Sequence, residues 1–139
     1  MPALRCVLLV DDDPTTNYLN HKLLTQLNVA DQVLMALNGR EALAAVHTHC
    51  QPASATCPNL ILLDVNMPLM SGFEFLAAYR QLPVAQQQAT VVVMLTTSLH
   101  PRDVTRAQQL AIDGFLTKPL TAAKVQEIMQ AHFATTLPE

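Results

Sequence analysis

The sequence predicts a doubly wound α/β domain, a parallel sheet with helices on both faces. Two observations carry that reading. Apolar residues come in short continuous runs, "LRCVLLV" (4–10), "LILLD" (60–64) and "TVVVMLT" (90–96), and continuous hydrophobicity suits strands covered on both sides. Between such runs lie stretches with helical spacing and helix-start signals, so that strand and helix alternate five times along the chain.

Taken in order, the run 4–10 is the first strand. Asp13-Pro14 then offers an N-cap with proline at the first helical position, and Leu19, Leu23 and Leu27 repeat every fourth residue until about Asn28. "QVLMAL" (32–37) is the second strand, shorter and placed partly by context. Asn38-Gly39 opens a second helix through "REALAAVHTH". The segment "HCQPASATCPN" (49–59), with prolines and small residues, reads as a surface loop longer than the usual ~4–6 residues. The third strand, 60–64, precedes a helix in "FEFLAAYRQL", and the fourth, 90–96, precedes one starting at His100-Pro101 and running to about Ile112. "GFLT" (114–117) is the fifth strand, and Thr121 caps the last helix, "AAKVQEIMQAHF".

The totals bound the function. A chain of 139 residues, half of them hydrophobic, is one domain with one substantial core and is not a disordered tail. Net charge is −3 with no basic run, which leaves nothing to grip nucleic acid or an anionic membrane directly. No apolar stretch approaches the ~20 residues of a membrane span, and no signal peptide is evident. Three cysteines, Cys6, Cys50 and Cys57, show no disulfide rhythm and read as reduced thiols. Together these features predict a soluble cytoplasmic protein.

In open α/β sheets ligands bind beyond the carboxyl ends of the strands. The residues at those ends are Asp11, Asp12 and Asp13 after the first strand, Asp64 after the third, Thr96 and Thr97 after the fourth, and Lys118-Pro119 after the fifth. Like charges ~4 Å apart repel by ~4 kcal/mol at an effective dielectric of 20, so carboxylates gathered in one crevice invite a cation. Magnesium accepts few carboxylates and keeps room for a phosphate oxygen. A lysine and hydroxyls beside it suit the remaining oxygens of a phosphoryl group. Asp11 to Asp13 alone fit a capped helix better; Asp64 and Lys118 tip the balance to a site.

Jointly, "LLVDDDP", "LILLDVNMPLMSG", "VVVMLTTS" and "GFLTKPL" resemble the receiver domains of two-component response regulators over nearly the whole chain, 1–139. The resemblance implies a three-layer (βα)5 flavodoxin-like fold with strand order 2-1-3-4-5. It implies that Asp64 takes a phosphoryl group from a phosphohistidine of a sensor histidine kinase or phosphotransfer protein. Asp11 and Asp12, with Asp64 and the main-chain carbonyl of Asn66, would hold Mg²⁺; Asp13 would remain as the helix cap. Lys118 would pair with phosphoryl oxygens and Thr96 would turn its hydroxyl to them. Thr97 stands where a small residue is usual, and Phe115 matches the aromatic that follows Thr96 inward. Output would pass through the face made by the fourth helix, fifth strand and fifth helix, to a protein target or a second copy. Such a domain signals and is not an enzyme, its chemistry being self-directed phosphotransfer and autodephosphorylation. The stretch "TTSLHPRDVTRA" is similar to stand-alone receivers that serve phytochrome-type or hybrid kinases. Ser71 departs from the aspartate common before the glycine.

Two other functions compete. "LLVDDDPT" also fits the Asp-x-Asp-x-Thr of a haloacid-dehalogenase-type phosphatase, with Asp11 as nucleophile and Asp13 as acid/base, although Asp64 is then unexplained. A receiver fold that works as an adaptor without phosphorylation is the second. His47, His49, Cys50 and Cys57 match no standard zinc spacing and read as an incidental loop composition.

Overall fold

A computed structural model of the chain describes residues 4–50, 57–65, 67, 70–81, 90–96, 102, 105, 109 and 112–133. Its strands are β1 (Leu4–Val10), β2 (Ala30–Ala36), β3 (Leu60–Asp64), β4 (Val91–Thr96) and β5 (Gly114–Thr117). They form one sheet in the order β2-β1-β3-β4-β5, every pair parallel. Its helices of defined bounds are α1 (Pro14–Gln26), α2 (Gly39–His49), α3 (Gly72–Arg80) and α4 (Ala122–Phe133). The expected fourth helix, 101–112, lies outside the described residues except for Arg102, Thr105 and Gln109, which are helical, and Ile112, which is not. The expected fifth helix is therefore α4.

Continuous apolar strands serve two cores because successive side chains point to opposite faces. Leu8 and Val10 join Ile61, Leu63, Val92 and Met94 under α2 and α3. Val7 and Leu9 join Leu60, Leu62, Val93 and Leu95 under α1 and α4. Each fully buried leucine, isoleucine or valine contributes ~1.5–3 kcal/mol, which explains why the four apolar residues of β3, Leu60 to Leu63, are withdrawn from water.

Local chemistry sets the helix starts. Asp13 accepts from the Thr15 amide and the Thr16 hydroxyl, both at 3.0 Å, ahead of Pro14 at the first helical position. Asn38 caps α2 through the Glu41 amide at 2.9 Å. Ser71, where the family pattern has aspartate, forms a reciprocal capping box with Glu74, each bond 3.2 Å long. The helix α1 ends through Asn28, whose φ of 54° is a left-handed conformation that asparagine tolerates.

In α1, Asn17 and Leu24 are buried, Leu23 and Leu27 pack partly buried against the core, and Leu19 is 56% exposed. Asn17 turns the helix because its amide reaches two strand carbonyls, as described below. One expectation needs correction: the cysteines are not all reduced. Cys50, buried at the C-cap of α2, and Cys57, just before β3, form a disulfide with a Cα–Cα distance of 4.4 Å. The bridge ties the C-cap of α2 to the start of the approach to β3 across a sequence separation of seven. Cysteine usage therefore no longer argues for a reducing compartment. Cys6 is free and buried, and burial pushes its thiol up to about 11.

Candidate functional site: an acidic crevice closed by a lysine

The strand order puts the ends of β1, β3, β4 and β5 side by side, so groups scattered along the chain converge at one edge of the sheet. Asp11 and Asp64 are buried, at 4% and 8% exposure, and Asp12 is exposed. One carboxylate oxygen from each lies within 4.8 Å of the others. Lys118, 107 residues from Asp11 in sequence, places its ammonium 2.6 Å from Asp11 Oδ2 and 3.1 Å from Asp64 Oδ1.

Backbone contacts hold these side chains in place. The Asp11 amide donates to Ala36 O at 3.1 Å, and Asp11 Oδ1 accepts from the Asp13 amide at 3.0 Å. The Lys118 amide donates to Thr96 O at 2.6 Å, so the segment after β5 is tied to the end of β4. Thr96 is buried, one residue beyond Leu95, the β4 partner of Asp64. The Lys118-Pro119 peptide is cis. Phe115 is half-buried opposite Met94 and packs on the core beneath α2 and α3. Asn66 and Thr97 lie outside the described residues.

Charge crowding perturbs the group at the centre. Burial, the neighbouring Asp11 charge and the Asp12 charge raise the Asp64 pKa above its ordinary value, and Lys118 only partly opposes them. Burial works against the Lys118 charge, but its hydrogen bond to Asp11 and the charges of Asp64 and Asp11 outweigh it and raise its pKa. The Thr16 hydroxyl and Thr15 amide hold the Asp13 carboxyl below the usual range. With that carboxylate committed to capping α1, the phosphatase reading loses its acid/base.

Two residues outside the expected set also shape the site. Asn17 Nδ2 donates to Asp11 O at 3.0 Å and Ala36 O at 3.1 Å, joining the ends of β1 and β2. Both contacts are carbonyls, which fixes the amide orientation. A clue was available, since Asn17 lies seven positions before Leu24 and so shares its buried face. Gly72 is the other. A Cβ there would stand 2.2 Å from Asp64 O, and its amide donates to Val65 O at 2.9 Å. Only glycine lets α3 begin so close to the strand end that carries Asp64. Beside Lys118, a groove of about 360 Å³ opens between α1 and the segment after β5, lined by Thr16, Leu19, Asn20, Leu23 and Pro119.

The fold and crevice define a class: doubly wound α/β proteins with an aspartate at the end of the third strand, an acidic pair after the first and a lysine after the fifth. The comparisons with known proteins agree. The chain belongs to the response regulator receiver domain family, whose model matches residues 7–130. It is 34% identical over 127 residues to the probable chemotaxis protein CheY of Rhizobium etli, covering 91% of each chain. To the response regulator Rcp1 of Synechocystis it is 32% identical over 114 residues, covering 82% of this chain and 76% of Rcp1. The solved structure of the phosphorylated cyanobacterial phytochrome response regulator RcpA is 28% identical, with a TM-score of 0.71, covering 97% of this chain and 99% of that one.

Proposed function

We propose that the chain is a phosphoacceptor domain that takes a phosphoryl group onto Asp64 from the phosphohistidine of a sensor kinase or phosphotransfer protein. The observation that carries this is the Asp64 carboxylate, buried at the strand end with an ammonium at 3.1 Å and two further carboxylates beside it. An Asp64 oxygen forms a bond to phosphorus as the phosphorus–nitrogen bond of the phosphohistidine breaks, and the released imidazole takes a proton from solvent. Lys118 neutralises the phosphoryl oxygens as they arrive, and the Thr96 hydroxyl donates to one of them. The relative RcpA is described as phosphorylated, which supports the same chemistry here.

The acidic cluster fits a divalent cation, being an all-oxygen donor set with three carboxylate oxygens within 4.8 Å. Asp11, Asp12 and Asp64, with the main-chain carbonyl of Asn66, would hold Mg²⁺. When bound, it neutralises charge on the phosphoryl oxygens. The groove along α1 suits docking of the donor's helix, with exposed Leu19 at its edge.

Phosphorylation adds ~−1.5 to −2 charges and three strong acceptors to the crevice. Thr96 and Phe115, with Thr97, relay that change to the face containing β5 and α4. The output is a protein contact with a downstream target or a second copy, and the domain is a cytoplasmic signalling module and not an enzyme. Among the described residues no helix is long and apolar enough to cross a membrane.

Incubation with acetyl phosphate and Mg²⁺, followed by peptide mass mapping, tests the proposal. One phosphoryl group on the Asp64 peptide, lost in Asp64→Asn and strongly reduced without Mg²⁺, is the expected result. Label on the Asp11 peptide instead, or none at all, refutes it.

A further inference from the structure

The last helix begins with a residue of the wrong sign. Thr121 caps α4, its hydroxyl accepting from the Lys124 amide at 3.2 Å and its carbonyl from the Val125 amide at 2.9 Å. Lys124 is thus the third residue of the helix, where a glutamate or glutamine completes a capping box. A cation there faces the positive end of the helix dipole, and the first turn of α4 has no acidic residue to offset it. Helix stability does not account for this lysine.

Its ammonium does. Lys124 Nζ donates to Thr117 O at 2.7 Å, to Pro119 O at 3.0 Å and to Thr117 Oγ1 at 3.4 Å. An ammonium has three donors, and all three are used on the residues that immediately flank Lys118. Charge-assisted bonds are stronger than neutral ones, and the two to Thr117, one to its carbonyl and one to its hydroxyl, are part-buried. On Lys118 itself, the amide is held by Thr96 O and the side chain reaches Asp11 and Asp64.

We propose that Lys124 is a positioning residue for phosphoryl transfer: it clasps the backbone on both sides of Lys118 and so fixes where the Lys118 ammonium stands in the acidic crevice. Without the clasp, residues 117–119 lose three bonds and, among the described residues, rest on the β4 pairing of Thr117 and the Lys118 N–Thr96 O tie, so the long lysine side chain starts from a looser base. Lys124 touches neither Asp64 nor the acidic pair in this geometry, and its whole effect runs through Lys118. The inference rests on the phosphoacceptor reading above.

The test uses the full chain with acetyl phosphate and Mg²⁺, and compares wild type, Lys124→Met, Lys124→Arg, Lys118→Ala and the Lys118→Ala/Lys124→Met double variant. Lys124→Met is expected to slow labelling of Asp64 by about 5- to 50-fold, the scale of a small misplacement at a reacting centre. Lys124→Arg, which can still donate to the carbonyls, should recover most of that loss. In the Lys118→Ala background, Lys124→Met should slow the residual rate less than twofold, because the residue it positions is gone. An equal slowing in both backgrounds, or none in either, overturns the proposal. A second readout needs no phosphate. The two ε-methylene protons of Lys118, assigned by their loss in Lys118→Ala, should be inequivalent by NMR in wild type and Lys124→Arg and should merge in Lys124→Met. If they stay inequivalent in Lys124→Met, the clasp does not exist. Lys124→Gln replaces the Met variant if the latter fails to fold. Absence of label in wild type sinks the phosphoacceptor reading alone, and the NMR comparison still decides the clasp.

Discussion

Replacing Asp64 by asparagine should make the metal-free protein more stable at neutral pH, although it removes the group on which the proposed function depends. Asp64 sits 3.1 Å from the Lys118 ammonium, an attraction of ~5 kcal/mol at an effective dielectric of 20. Its ligand oxygen lies within 4.8 Å of those of Asp11 and Asp12, repulsions of at least ~3.5 kcal/mol each at the same dielectric, the Asp12 contribution being reduced by water. Attraction and repulsion nearly cancel. What remains is the cost of holding the charge out of water, so a neutral side chain of the same shape should gain about 1–2 kcal/mol. Urea denaturation in EDTA at neutral pH reads this directly, and a melting temperature higher by roughly 3–8 °C accompanies it.

Two controls follow from the same balance. Because the folded-state pKa of Asp64 is raised, its protonated form favours the native state: that contribution is complete below the ordinary value of 3.8 and is lost as pH rises through the folded pKa. The advantage of Asp64→Asn should therefore fade on acidification. Mg²⁺ should also diminish it, since a cation that binds the native wild type stabilises it by mass action. If Asp64→Asn is less stable than wild type in EDTA at neutral pH, the crowding argument fails.

Two further substitutions probe the supports of the crevice. Gly72→Ala places a methyl group 2.2 Å from Asp64 O, so the strand end must shift; unfolding free energy should fall by about 1–3 kcal/mol and Asp64 labelling should slow markedly. Asn17→Leu leaves Asp11 O and Ala36 O without their side-chain donor; denaturation should show a loss of about 1–3 kcal/mol, and calorimetry a weaker Mg²⁺ affinity.

Among the described residues, the order and kind of the elements are legible in the sequence. Uninterrupted runs such as 60–64 can satisfy their hydrophobicity only between two layers, and Asp13, Asn38 and Thr121 mark helix starts through bonds made within a few residues. The bounds agree closely; β2 begins at Ala30, two residues earlier than its apolar run suggests. The convergence of Lys118 with Asp11 and Asp64 followed from their places at strand ends and from the joint motif, because contacts across such sequence separations leave no periodic trace. Tertiary structure alone decided the rest. It showed that Asn17 and not Leu19 faces inward, that Gly72 is required by the approach of Asp64 O, that Cys50 meets Cys57, and that Lys124 turns back onto the residues around Lys118. Each depends on where a side chain points once separate elements are packed, and local propensity carries no information about that direction.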